Sequence, residues 1–323
     1  MQISKKISAI IKLLIVGFTF WFLYQKVFAD ESINETKRQF INLLERQNYF
    51  DLLFVFVLMF VNWSIDAIKW KFLISKIEKV SFWVSLKAVF LGITVSMFTP
   101  NRVGEFGGRV FCLKKADRIK AVLITIFGNV NQLVTTLIFG LLAIVFFSTQ
   151  YTMPLFKEFF SNTMLLLFLT IFIIILLITF LLNSSRFLKL VSKLKPLRKY
   201  TEYTHVLNYF SRQEIFYVLF LSISRYFVYS FQFFILLKFV GIELALIDSL
   251  IMISLTFFSM SVIPSIALTE IGVRGSVSVF FFSFISGNTI GILTAAFSLW
   301  FINLVIPAII GTLFVYQLKF FRS

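Results

Sequence analysis

"FTPNRVGEFGGR", residues 98–109, interrupts an apolar run with one proline, three glycines and three charges. The basic residues on either side decide how it is read. Lys69, Lys71, Lys76 and Lys79 lie upstream, and Lys114, Lys115, Arg118 and Lys120 lie downstream. Loops rich in Lys and Arg stay on the cytoplasmic side of a membrane. Both flanks are therefore cytoplasmic, and residues 82–113 must enter the bilayer and return. A turn within the membrane is tolerated only where protein or a watery cavity satisfies its backbone. In this reading Pro100 ends the incoming helix, while Gly104 and Gly107 let the chain turn and pack closely.

Composition agrees with a membrane setting. The 323 residues are 59% hydrophobic and 14% charged, whereas a soluble domain is roughly 45–50% apolar and 25% charged. Apolar segments fall near 9–29, 50–70, 82–98, 119–148, 163–182, 214–238, 247–263, 276–287 and 288–318. The first reads as a retained signal anchor, its length and the late Gln25 and Lys26 being unlike a short removable signal. Further basic clusters at Lys5, Lys6 and Lys12, at Arg186 to Lys199, and at Lys319 and Arg322 go inside. The segments 30–48, 149–162 and 239–248, with as many acids as bases or more, go outside. A multi-pass protein of the cytoplasmic membrane is predicted, with both termini cytoplasmic. The net charge of +16 follows this sidedness and does not point to nucleic acid. The basic loop 186–212, interleaved with apolar residues, is expected to lie on anionic lipid.

The same logic makes residues 247–287 a second hairpin, entering from outside. Its turn reads "VIPSIALTEIGVRGS", residues 262–276, and repeats the first turn's pattern. Pro100 precedes Glu105, Gly107 and Arg109; Pro264 precedes Glu270, Gly272 and Arg274. Ser-Leu pairs at 85–86 and 249–250 each start fifteen residues before the proline. The fold expected is an all-α polytopic membrane protein, one integral membrane domain over residues 1–323. It has about six full transmembrane helices and two re-entrant helical hairpins arranged as an inverted repeat. Repeat A covers 50–148 and repeat B covers 214–318, with 9–29 and 163–182 as additional helices. Inverted repeats with interrupted helices in matching positions point to a transporter whose site lies where the interruptions meet.

The candidate substrate-binding residues are Arg102, Glu105, Arg109, Glu270, Arg274 and Arg225, with Pro100, Gly104, Gly107, Pro264 and Gly272 shaping the tips. Glu and Arg four residues apart share a helix face. Glu105 with Arg109, and Glu270 with Arg274, either neutralise each other or serve a substrate, and the two roles are compatible. An arginine fork suits a lipid phosphate. Arg225 lies about three turns into its helix with no acid nearby in sequence. Asp66 and Lys69 read as a pair; Asn129, Asn131, Gln132 and Asn303 read as interhelical hydrogen-bonding groups. One cysteine, Cys112, and one histidine, His205, exclude an internal disulfide and a zinc cluster, and no cofactor is implied.

"TPNRVGEFGGR" and "IPSIALTEIGVRGS" resemble the signatures of the lysylphosphatidylglycerol synthase transmembrane region, or flippase-like domain, family, over roughly residues 5–318. Members called multiple peptide resistance factors join such a domain to a soluble synthetase, and the membrane part flips the aminoacylated lipid. The resemblance implies roles for Arg102, Gly104, Glu105, Arg109, Gly272 and Arg274. Here Gly275 follows the second-motif arginine, where many members have Glu, and a soluble synthetase segment is not expected; neither the aminoacylated lipid nor synthase activity is carried over. The expected function is flippase-like transport of a phosphate-bearing lipid, an anionic phospholipid or a polyprenyl phosphate, without enzymatic activity. The alternatives are an intramembrane enzyme acting on polyprenyl or phospholipid phosphates, for which neither hairpin turn offers a histidine, and an accessory subunit with a glycosyltransferase partner.

Overall fold

The computed structural model describes residues 49–97, 99, 102–151, 163–184, 186, 205–263 and 267–315, with isolated positions at 17, 21, 38 and 41. The expected helix 9–29, both prolines of the hairpin turns, most of the basic loop 186–212 and the chain after 315 lie outside the described residues. The described residues are helical: α1 (Tyr49–Ile74), α2 (Phe82–Ser96), α3 (Gly104–Val110), α4 (Arg118–Gln150), α5 (Thr163–Leu182), α6 (Arg212–Phe239), α7 (Leu246–Val262), α8 (Ala267–Phe282), α9 (Thr289–Trp300) and α10 (Ile306–Val315). A π-turn, Phe301–Val305, joins the last two into one 27-residue span. With α1, α4, α5 and α6 it makes five helices, among the described residues, long and apolar enough to cross a membrane. The chain is an all-α polytopic membrane protein.

Side-chain chemistry sets the helix ends. Ser81 caps α2, accepting from Val84 N at 3.3 Å. Ser211 and Glu214 form a reciprocal capping box at the start of α6. Asp117 caps α4 by accepting from Ile119 and Lys120, and Asn288 caps α9 by accepting from Gly291. The π-turn has its cause in Pro307, which lacks the N–H that would donate to the carbonyl of Asn303.

Packing is reciprocal between the two units. α1 lies against α6; α2 lies against α10, and α7, its counterpart, lies against α4, the counterpart of α9 and α10. The register is close. Asp117 and Asn288 cap the two long helices, and Gly140 and Gly311 are each the twenty-third residue of theirs. At Gly140 a Cβ would strike Phe258 of α7; at Gly311 it would strike Thr94 and the Phe90 carbonyl of α2. Each glycine admits the first hairpin helix of the other unit. Thr94 secures one crossing by donating to the Ala308 carbonyl at 2.9 Å.

α5 stands apart. Its ring of apolar side chains leaves Met164, Leu165 and Phe168 exposed, the pattern of a helix facing lipid. At the end of the basic loop Val206, Leu207 and Phe210 are buried against α4 and α6 residues such as Phe127 and Ile215, while His205, Asn208 and Tyr209 stay exposed.

Candidate functional site

Helix α2 stops one residue before Met97 and α3 starts at Gly104, so Glu105 and Arg109 sit on a short helix. In the second hairpin, α8 starts at Ala267, earlier than the 262–276 turn suggested, and Glu270 and Arg274 also occupy a helix. The described part of the first tip is tightly built. Thr99 Oγ1 accepts from Gly104 N at 2.7 Å, and a Cβ on Gly104 would lie 2.6 Å from the Val95 carbonyl. Arg102 has a φ of +57°, a left-handed conformation that costs a non-glycine residue energy. It projects across to the second hairpin, donating to Glu270 at 2.6 Å.

Two clusters of charge result. In the first, Asp66 of α1 is fully buried and accepts from Arg109 at 2.5 Å. Its other oxygen faces Lys69 at 3.1 Å and Arg225 at 3.5 Å. Arg109 also pairs with Glu105. Lys69 donates to Gln132 Oε1 at 3.3 Å, and Gln132 Nε2 donates to the Ser222 carbonyl at 3.2 Å, tying α1, α4 and α6 together. In the second cluster Glu270 accepts from Arg102 and, at 3.0 Å, from Arg274, while Arg274 donates to the Tyr229 hydroxyl at 3.3 Å. The Arg225 guanidinium lies 4.6 Å from the centre of the Trp63 ring, a cation–π contact that holds its plane.

A cavity of about 600 Å³ lies between these clusters. Of the predicted residues, Arg102, Arg225, Glu270 and Arg274 line it. Glu105 and Arg109 do not; they lie behind it, engaged with Asp66. Gly104 is packed as a close approach requires, but Gly107 would offer an added Cβ only an ordinary contact with Phe111, and Gly272 would offer none. Pro100 and Pro264 lie outside the described residues. The tight glycines beside Gly104 are Gly92 and Gly108, where a Cβ on Gly108 would lie 2.8 Å from the backbone of Gly92. Asn303 joins helices as expected, accepting from Asn62 at 3.4 Å, whereas Asn131 donates to Phe127 within its own helix.

Sequence reading undervalued Asp66, treated as a partner of Lys69, and passed over Asn62, Trp63, Tyr226 and Tyr229. The register of the repeat identifies them. Asn62, Trp63 and Asp66 correspond at an interval of 163 residues to Arg225, Tyr226 and Tyr229. Gln132 and Leu133 correspond at 171 to Asn303 and Leu304, and apart from Asp66 all of these residues line the cavity. They also lie halfway along the long helices. Asn62 is the fourteenth of 26 residues in α1, Leu133 the sixteenth of 33 in α4, Arg225 the fourteenth of 28 in α6 and Asn303 the fifteenth of 27 in the last span. The cavity's rim includes the exposed apolar residues Leu133, Val262 and Ile263.

The family model described as the lysylphosphatidylglycerol synthase TM region matches residues 9–311. The chain belongs to that family. No curated protein and no solved structure matches it.

Proposed function

We propose that this member of the lysylphosphatidylglycerol synthase TM region family moves a phosphate-bearing lipid between the leaflets of the cytoplasmic membrane. The observation that carries the reading is the placing of Arg102, Arg225 and Arg274 around one cavity, halfway along helices long enough to span a bilayer. A charged side chain at that depth is costly unless it is paired or serves a pathway, and an arginine fork matches the oxygens of a phosphate. The apolar rim leaves acyl or prenyl chains in lipid while the head group enters.

In this reading the hairpin over 82–113 opens to the cytoplasm and that over 247–287 to the outside, both termini being cytoplasmic. The contact of Arg102 with Glu270 closes the tips on one another. Exchange of that contact for a head group, from one side and then the other, gives alternating access to a single site. Reconstitution into vesicles, with leaflet-resolved measurement of labelled phospholipids and polyprenyl phosphates, tests the proposal. Movement faster than in protein-free vesicles is expected, with loss in Arg225→Gln. Lipids that remain in their original leaflet across the whole series would overturn it. Release of phosphate from those lipids would instead favour an intramembrane enzyme.

A further inference from the structure

The charges beside the cavity do not cancel. Behind it, Lys69 and Arg109 are balanced by Asp66 and Glu105. At the cavity itself three arginines meet one carboxylate, Glu270, leaving an excess of two positive charges among the described lining residues. Guanidinium groups do not shed their protons in proteins, so the excess persists. Glu270 is already shared by Arg102 and Arg274 through one oxygen. Asp66, the acid nearest Arg225, is 3.5 Å away and bound more closely by Arg109 and Lys69. The Nε atoms of Arg225 and Arg274 are buried without a hydrogen-bond partner. Arg274 is buried and Arg225 mostly enclosed, and positive charge held in this way calls for a counter-charge.

Resting on the transport reading above, we propose that the cavity selects a head group carrying two negative charges, a phosphate monoester or a diphosphate, over zwitterionic and cationic head groups. A dianion cancels the excess and supplies acceptors to the unpartnered arginine nitrogens. A phosphoethanolamine or an aminoacylated head group brings its own ammonium beside three guanidiniums, with only an engaged carboxylate to receive it. The exposed apolar residues at the rim, Leu133, Val262 and Ile263, favour a lipid-borne phosphate over a free one.

The test uses the full-length chain in vesicles, with fluorescent lipids alike in their chains and differing in head group: phosphate monoester, diphosphate, phosphoglycerol, phosphoethanolamine and lysyl-phosphoglycerol. Transport of the first two is expected to exceed that of the last two by about tenfold or more, one charge-assisted contact's worth. Arg225→Gln should reduce the preference, and Arg225→Lys should retain part of it. Equal transport of zwitterionic or cationic lipids overturns the charge proposal and leaves transport standing. If no lipid moves, the transport reading fails, and binding decides the charge proposal separately. Inorganic pyrophosphate should then raise the melting temperature of the detergent-solubilised protein, whereas ethanolamine phosphate should not, and Arg225→Gln should abolish the shift. Equal or absent shifts overturn the proposal. A pyrophosphate shift that the lipid diphosphate cannot compete with assigns the site to a free anion and overturns the lipid-borne form.

Discussion

The two hairpins carry the same Glu-x-Gly-x-Arg pattern and put it to different use. In the first, Arg109 meets Asp66; at the matching place in the second, Arg274 meets Tyr229. Glycines press α2 and α3 of the first hairpin together, with Gly108 against the backbone of Leu91 and Gly92, while Gly272 of the second has open space around it. The return end of the first hairpin is tied down by Glu78, whose carboxylate accepts from Lys114 at 3.0 Å and from Lys115 and Ala116 at 2.7 Å. The corresponding tie of the second is one amide, Asn288 donating to the Val240 carbonyl at 3.4 Å. A repeated motif therefore does not imply a repeated role. The motif arginine of the first hairpin, Arg109, is charge-balanced and clamped, the build of a frame, and that hairpin reaches the cavity only through Arg102 at its tip; the second presents its motif arginine, Arg274, to the cavity.

Removing the clamp's central acid should have the largest effect. Asp66→Asn leaves Arg109 and Lys69 buried without their shared counter-charge, and loss of one partner from a buried ionic group costs about 3–5 kcal/mol. The expected result is a large fall in melting temperature and in monodisperse yield from detergent. A variant as stable as the parent would show that the first hairpin is no more clamped than the second.

Gly108→Ala probes the same clamp through packing. Its methyl group would meet backbone atoms 2.8 Å away, which cannot swing aside as a side chain can. Overpacking of this kind costs about 1–3 kcal/mol, and thermal unfolding should register it. Gly104, predicted as a tip residue, is similarly tight. Gly92 and Gly108 escaped sequence reading because a glycine's packing role depends on which helix approaches it, and that is not written locally. The repeated motif was legible, since proline, glycine and paired charge recur at matched spacing within 98–109 and 262–276. The partner of Arg225 was not. Asp66 lies in another helix, and only the α1 to α6 packing brings the two together.

The two hairpins can also be made chemically alike. Tyr229→Asp gives Arg274 the carboxylate that Asp66 gives Arg109, and it lowers the cavity's positive excess from two to one. Transport of a dianionic lipid should fall about tenfold, the value of one charge-assisted contact, with melting temperature lowered only by the loss of the Tyr229 stack on Phe257, since the new carboxylate has a partner. Undiminished transport would mean that the second arginine is as far from the substrate as the first.

The smallest effect separates the hairpins by its sign. Gly272 lies within α8 and is exposed, with nothing within 4 Å of an added Cβ and no left-handed backbone to protect. Alanine relieves the entropic penalty of glycine in a helix, so Gly272→Ala should stabilise by about 0.5–1 kcal/mol. The same replacement at Gly108 destabilises, although both glycines lie in helices that carry the shared motif. If Gly272→Ala instead lowers the melting temperature or slows transport, α8 needs that space during the cycle, and the second hairpin moves against a neighbour that the resting contacts do not reveal. Transport and unfolding measured on the one variant distinguish these outcomes, because a helix merely relieved of a glycine gains stability and keeps its rate.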